Sequence, residues 1–303
     1  MIQEQTLRTV CQALKDPSAL AFVRLSLKAG YHEFYPAYTA LVDRMVDESF
    51  ERLATSDPQT LAQTMQTLLK ESFRKDDPSF WFNQIYHDYK TRLKPETDFQ
   101  QLKAMIKGSR LLDYGCGSGY LSVRLARGGY QVVTTDVLDY RYEEAQQLLF
   151  VKMSSPTDIA YPGVDIDTAL VQAVLHHIDP ADLPKVIQGL THIAKHVLIK
   201  EDTYDLPCSL PGMAETLASQ PLLRQFTDLP RTAQFQALVL IDFFANAIAQ
   251  GIPEMNMPFE FKSVAEWEQA LEANGLKVAQ IHLAGFEPGR MHKSCHVWFE
   301  CDS

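Results

Sequence analysis

The sequence predicts an α/β fold: a mostly parallel sheet with an antiparallel last strand, preceded by a helical N-terminal domain and interrupted by a helical insertion. Three observations carry this. Apolar residues recur at helical spacing through residues 4–75, short apolar strands alternate with helices from residue 110, and that alternation breaks at 206–261 before resuming. The expected domains are therefore 1–95, a helical cap, and 96–303, an α/β domain that carries the insertion as a lid.

In the cap, Leu41, Met45, Phe50 and Leu53, then Leu61, Met65, Leu68 and Leu69, each mark one face of a helix. Pro17, Pro36 and Pro58 punctuate the pattern, which predicts three or four helices. Phe80, Trp81, Phe82, Tyr86 and Tyr89 follow without strand alternation and bridge the two parts.

The α/β part opens with a strand at 110–113, a helix at 119–127 stopped by Gly128 and Gly129, and a second strand at 131–136. Further strands are expected at 150–153, 168–175 and 196–200, with a helix at 183–194 whose first turn holds Pro184. The insertion contains one long apolar helix, 231–250. Ser263 and Glu266 form a capping box that opens a helix ending at Asn274 and Gly275. Strands at 277–283 and 295–301 close the chain; in the last, Cys295, Val297, Phe299 and Cys301 alternate with polar or aromatic residues.

Composition narrows the function. Lys and Arg number 28 against 38 Asp and Glu, a formal charge of -10, which disfavours a phosphate-binding surface and hence a nucleic-acid partner. Five cysteines, an odd number without a C-x-x-C pair, fit a reducing, cytoplasmic setting. The start lacks an apolar leader, and Asp242 and Asn246 interrupt the greasiest stretch, so no membrane segment is expected.

The informative run is Leu111-Leu-Asp-Tyr-Gly-Cys-Gly-Ser-Gly-Tyr120, followed by a strand ending at Asp136. Gly115, Gly117 and Gly119 permit a tight turn and close backbone approach to a ligand beside a helix N-terminus. An acidic residue closing the next strand takes both hydroxyls of a ribose, so the pattern implies a nucleoside. The spacing is G-x-G-x-G, and Tyr120 stands where a dinucleotide site carries its last glycine, which argues against NAD.

On these residues the chain resembles the class I S-adenosylmethionine-dependent methyltransferases, with a Rossmann-like sheet, and the likeness covers residues 110–202. The resemblance implies that Asp113 and the loop of Gly115, Gly117 and Gly119 hold the methionine end of S-adenosylmethionine, Asp136 its ribose, and Val137 and Ser154 its adenine. Ala173 and Val174 would meet the ammonium through their backbone. It also implies that Tyr86 and Arg92, just before the sheet, serve the cofactor carboxylate or sulfonium, with Tyr89 beside them. Only about thirty residues separate Asp136 from Thr168, so the usual second helix should be short or missing.

His176, His177 and Glu201 fall at strand ends, where side chains of an open sheet face the ligand crevice. His176 and Glu201 are the candidate catalytic residues, while packing and a solvated strand end remain the alternatives. His177, Tyr89 and the pair Asp242 and Asn246, four apart on one face of the long helix, are candidate substrate contacts. No metal site is expected: alternation sends Cys295 and His296 to opposite faces. The expected function is methyl transfer to a small-molecule acceptor in secondary metabolism. The tail around GFEPGRMHKSCHVW also looks like bacterial homologues that cyclise S-adenosylmethionine to azetidine-2-carboxylate and methylthioadenosine, and a cofactor-sensing module without turnover is a third reading.

Overall fold

A computed structural model describes residues 3–159, 163–252 and 255–303. The chain divides into two compact units, one of Met1–Tyr89, Asp202–Phe261 and Ala284–His296, the other of Lys90–Glu201, Lys262–Leu283 and Val297–Ser303. In this division the first segment ends at Tyr89, and the 206–261 insertion groups with the N-terminal helices.

In the first unit the N-terminal helices are Glu4–Ala13, Pro17–Phe34, Thr39–Ala54 and Leu61–Thr67. Asp16 caps the second, its carboxylate accepting the N–H groups of Ser18 and Ala19, with Pro17 occupying a first-turn position whose missing N–H costs nothing. The insertion supplies Met213–Ser219, Pro221–Thr227 and a long helix, Arg231–Phe243, which widens to π geometry over Phe244–Gln250. By length and composition this 20-residue helix would cross a membrane, yet 67% of its apolar window is buried inside the protein, as for a core helix.

Residues 284–296 belong here because backbone docks on backbone. A Cβ at Gly30 would lie 2.1 Å from the Met291 carbonyl oxygen, so only glycine permits the approach. Ser26 Oγ donates to Lys293 O at 2.8 Å beside it.

The second unit is built on the sheet. Its strands are β1 (Arg110–Tyr114), β2 (Gln131–Asp136), β3 (Leu149–Lys152), β4 (Ile166–Gln172), β5 (Ala194–Tyr204), β6 (Lys262–Ser263), β7 (Lys277–Gly285) and β8 (His296–Asp302). The main path runs β3-β2-β1-β4-β5-β8-β7, parallel through β5 with antiparallel strands at the C-terminal end. Leu111, Leu112, Ala169, Leu170, Val171, Val197, Leu198 and Ile199 are buried, as strands covered on both faces require.

Between β2 and β3 the chain makes a 3-10 turn, Glu143–Gln147, in place of a full helix, in line with the short spacing. The fourth strand stops sooner than its apolar run suggests. Ala173 takes a left-handed backbone, φ 54°, which ends β4 at Gln172 and starts a 3-10 turn at Leu175–His177. The capping box at Ser263 forms as expected, with Ser263 Oγ accepting from Glu266 N and the Glu266 carboxylate accepting from Ser263 N.

Candidate active site

The glycine loop follows β1 and reverses the chain into the helix Tyr120–Arg127. Gly115, Gly117 and Gly119 have φ of 72°, 56° and 77°, the left-handed region that side chains disfavour. A Cβ at Gly115 would sit 2.7 Å from Val174 Cγ2, and one at Gly119 would sit 2.6 Å from the Ala145 methyl. The loop thus lies against the β4 end on one side and the 3-10 turn on the other. At Gly117 the nearest group to such a Cβ is the Tyr140 hydroxyl, 3.3 Å away.

Two carboxylates brace this loop. Asp113, 4% exposed, accepts a hydrogen bond from Ser122 Oγ on the following helix. Burial pushes its carboxyl up to about 6; the Ser122 bond opposes the shift, and the nearby charge of Asp136 adds to it. Asp136 accepts the Gly117 N–H on Oδ2 at 2.9 Å and the Leu138 N–H on Oδ1 at 3.1 Å. Each oxygen keeps a second lone pair, which is the acceptor set a ribose diol needs. Val137 is half-buried next in the chain; Ser154 is exposed, its hydroxyl donating to Asp158 at 2.8 Å as a turn cap.

The β4 end is organised by one side chain. Glu201, fully buried, accepts Val174 N–H at 3.0 Å and Leu175 N–H at 2.7 Å on Oε1, and its Oε2 lies 2.6 Å from His176 Nδ1. A carboxylate can only accept, so Nδ1 carries a proton, and in the neutral ring Nε2 holds the lone pair. Both oxygens of Glu201, expected as a catalytic group, are thus engaged by the turn and by His176. The half-buried His177 ring lies 4.2 Å from that of His176, centroid to centroid. An ammonium needs carbonyl acceptors, so Ala173 and Val174 can serve it only through oxygen; the Val174 carbonyl already accepts from His177 N.

Arg92 is exposed in the same unit. Tyr86, Tyr89, Asp242 and Asn246 lie in the first unit. The Tyr86 ring, expected to meet a sulfonium, already carries Lys75 Nζ 4.7 Å from its centroid, an amine whose burial pushes it down to about 8. The Tyr89 hydroxyl accepts the Met291 N–H at 3.2 Å. Asn246 Nδ2 donates to Asp242 Oδ1 at 2.6 Å, so the pair is joined within its helix. Sequence reasoning missed Tyr140 and Arg141. Arg141 is buried and paired with Asp139 at 2.9 Å; its guanidinium carbon lies 3.9 Å from the Phe150 ring centroid and ties the turn after β2 to β3. The available signal was their place just after the ribose acid.

The glycine-rich turn, the diol-accepting carboxylate beside it and the carbonyls at the β4 end together fit S-adenosylmethionine. Comparison with known proteins agrees. A family described as methyltransferase domain matches residues 85–281. An S-adenosyl-L-methionine-dependent Diels-Alderase, iccD of Talaromyces variabilis, is 29% identical over 103 residues, 30% of this chain and 35% of that protein, so the match spans about a third of the relative's length. Among solved structures, mitomycin 7-O-methyltransferase MmcR is 14% identical with a TM-score of 0.48, over 96% of this chain and 74% of that one. Magnesium protoporphyrin IX methyltransferase of Synechocystis PCC 6803, solved with bound S-adenosylhomocysteine, is 16% identical with a TM-score of 0.43, over 80% and 99% of the two chains. With the family match covering well over half its length, this chain belongs to the methyltransferase-domain family and is an S-adenosylmethionine-dependent enzyme.

Proposed function

We propose that the enzyme methylates an O–H or N–H group of a small-molecule acceptor, with His176 Nε2 as the proton acceptor. The observation that carries this is the bond between Glu201 Oε2 and His176 Nδ1 at 2.6 Å, which leaves the basic lone pair on Nε2. When bound, S-adenosylmethionine supplies an electrophilic methyl on a sulfonium centre. Asp136 accepts the ribose hydroxyls, the glycine turn admits the methionine end, and the Ala173 and Val174 carbonyls receive the ammonium. Val137 borders the adenine. His176 Nε2 takes the acceptor's proton while the bound cofactor would supply the methyl group to the acceptor, and the imidazolium stays bonded to Glu201.

In this reading His177 contacts the acceptor, and Asp242 and Asn246, in the first unit, are tested for an acceptor role by substitution. The acceptor belongs to secondary metabolism, in keeping with the likeness to a Diels-Alderase dependent on the same cofactor. Five free cysteines, Cys11, Cys116, Cys208, Cys295 and Cys301, accord with a cytoplasmic setting, and the charge of -10 with a small molecule rather than nucleic acid.

The test incubates the protein with S-adenosylmethionine alone and with panels of phenols, carboxylic acids and amines, following products by mass spectrometry. Acceptor-dependent S-adenosylhomocysteine is expected. Glu201→Gln keeps an oxygen for the Val174 and Leu175 N–H groups but turns an amide donor toward Nδ1, forcing the wrong tautomer. It should cut turnover about 100-fold or more while S-adenosylhomocysteine affinity stays within about threefold. Methylthioadenosine formed from the cofactor alone would overturn methyl transfer in favour of cyclisation. Full turnover in Glu201→Gln would remove His176 as the base.

A further inference from the structure

The helix Lys94–Leu102 precedes β1 in the second unit and carries a charged pair that the methyl-transfer reading does not use. Asp98 is fully buried. Its Oδ2 accepts from Lys94 Nζ, one turn earlier in the helix, at 2.8 Å, and its Oδ1 accepts from Gln172 Nε2 at 3.0 Å. A carboxylate taken out of water needs such partners, because an uncompensated buried charge is strongly destabilising. Gln172 is the last residue of β4, directly before Ala173 and Val174, whose carbonyls receive the cofactor ammonium in the reading above. The pair is thus tied to the strand end where the amino-acid part of the cofactor is placed.

Asp98 does not exhaust Lys94. The ammonium has three N–H donors; Asp98 takes one, and among the described residues no other acceptor takes the rest. The Lys94 side chain is 37% exposed, whereas that of Asp98 is 0% exposed. Its charge also reaches the base of the glycine loop: the Asp113 carboxyl, which burial raises, feels the Lys94 ammonium lowering it and the Asp98 carboxylate raising it. Asp98 and Asp136 both act on Asp113, so three acids stand together at this end of the sheet. A ligand carboxylate arriving there is repelled unless a cation receives it. Arg92, the cation expected from sequence, is exposed two residues before Lys94.

We propose that Lys94, held by Asp98 and through it by Gln172, binds the α-carboxylate of S-adenosylmethionine and makes the enzyme discriminate against the decarboxylated cofactor. The inference rests on the placement of the ammonium at the Ala173 and Val174 carbonyls, which leaves the carboxylate on the same amino-acid end to be matched by a cation.

Calorimetry on the full chain compares S-adenosylhomocysteine with its decarboxylated analogue, which keeps the amine and lacks the carboxylate. The wild type should bind the first about tenfold to a hundredfold tighter. Lys94→Met alone would strand the buried Asp98, so it is combined with Asp98→Asn, whose amide oxygen still accepts from Gln172. In this double variant the two affinities should come level, with the analogue within about threefold of its wild-type value. Lys94→Arg should keep the preference, and Arg92→Met should leave it intact. Circular dichroism and retained binding of the analogue show each variant folded. A preference that survives the double variant, an equal loss for both ligands, or a preference removed by Arg92→Met would each overturn the inference. Methylthioadenosine separates its failure from that of the placement: it lacks the whole amino-acid end, so a wild type that binds it as tightly as S-adenosylhomocysteine overturns both.

Discussion

The Asp136 carboxylate, at the end of β2, accepts the N–H of Gly117, the middle glycine of the loop after β1, at 2.9 Å. One acid thus shapes the turn and presents acceptors beside it, so its loss acts on both. Asp136→Ala should weaken S-adenosylhomocysteine binding by about tenfold to a hundredfold or more, since each charge-assisted hydrogen bond contributes ~1.5–3 kcal/mol. Titration calorimetry gives the number; unchanged affinity would remove the ribose assignment.

Asp113 sets a pH dependence of stability. Its folded-state value, about 6, stands above the ordinary 3.8, so the folded chain holds the proton more tightly than the unfolded one. The resulting stability is complete below pH 3.8 and is lost as pH rises through about 6. The difference amounts to roughly 3 kcal/mol. Asp113→Asn should flatten this limb of the urea-denaturation profile between pH 4 and 7, and a variant with the wild-type slope would show that another group is responsible.

Gly115→Ala tests the loop's contact with the β4 end. The added methyl meets Val174 at 2.7 Å and must also hold φ at 72°, a left-handed conformation costing ~1–2 kcal/mol. A lower melting temperature is expected together with weaker S-adenosylhomocysteine binding, because Val174 belongs to the turn that Glu201 fixes. Gly129→Ala provides the contrast: it shares the positive φ, 96°, but would meet nothing within 4 Å, so it should lose stability and leave binding unchanged.

The joined pair Asp242 and Asn246 separates an acceptor role from a packing role. Asn246→Ala and Asp242→Asn should lower turnover while cofactor affinity stays within about threefold, below the ~1.4 kcal/mol of a tenfold change. Steady-state kinetics beside calorimetry checks this. Full turnover with only a lower melting temperature would make the 2.6 Å bond purely structural.

Ser263→Ala removes the hydroxyl half of the capping box and should cost ~1 kcal/mol, read by chemical denaturation, with no effect on binding.

Much of the fold was legible because it is local. Strand runs buried on both faces, a glycine turn with an acid on either side, and a Ser-x-x-Glu cap each need only neighbours in sequence, and β2 appears at 131–136 as read. The methyltransferase assignment follows from the same locality, since Asp113, the three glycines and Asp136 are fixed by the β1-turn-helix-β2 path. What only the tertiary structure decided depends on residues far apart in sequence. Glu201 reads as a strand-end acid until the parallel β4–β5 register, Gln172 beside Lys200, brings it under the Val174–His176 turn. That contact engages both of its oxygens, one on the turn and one on His176 Nδ1. Likewise Tyr86 reads as an open aromatic face until Lys75 is found over it, and the 206–261 insertion reads as part of the sheet domain until its long helix is found buried among the N-terminal helices. Periodicity states which face of a segment is apolar; it carries no information about which other segment covers that face.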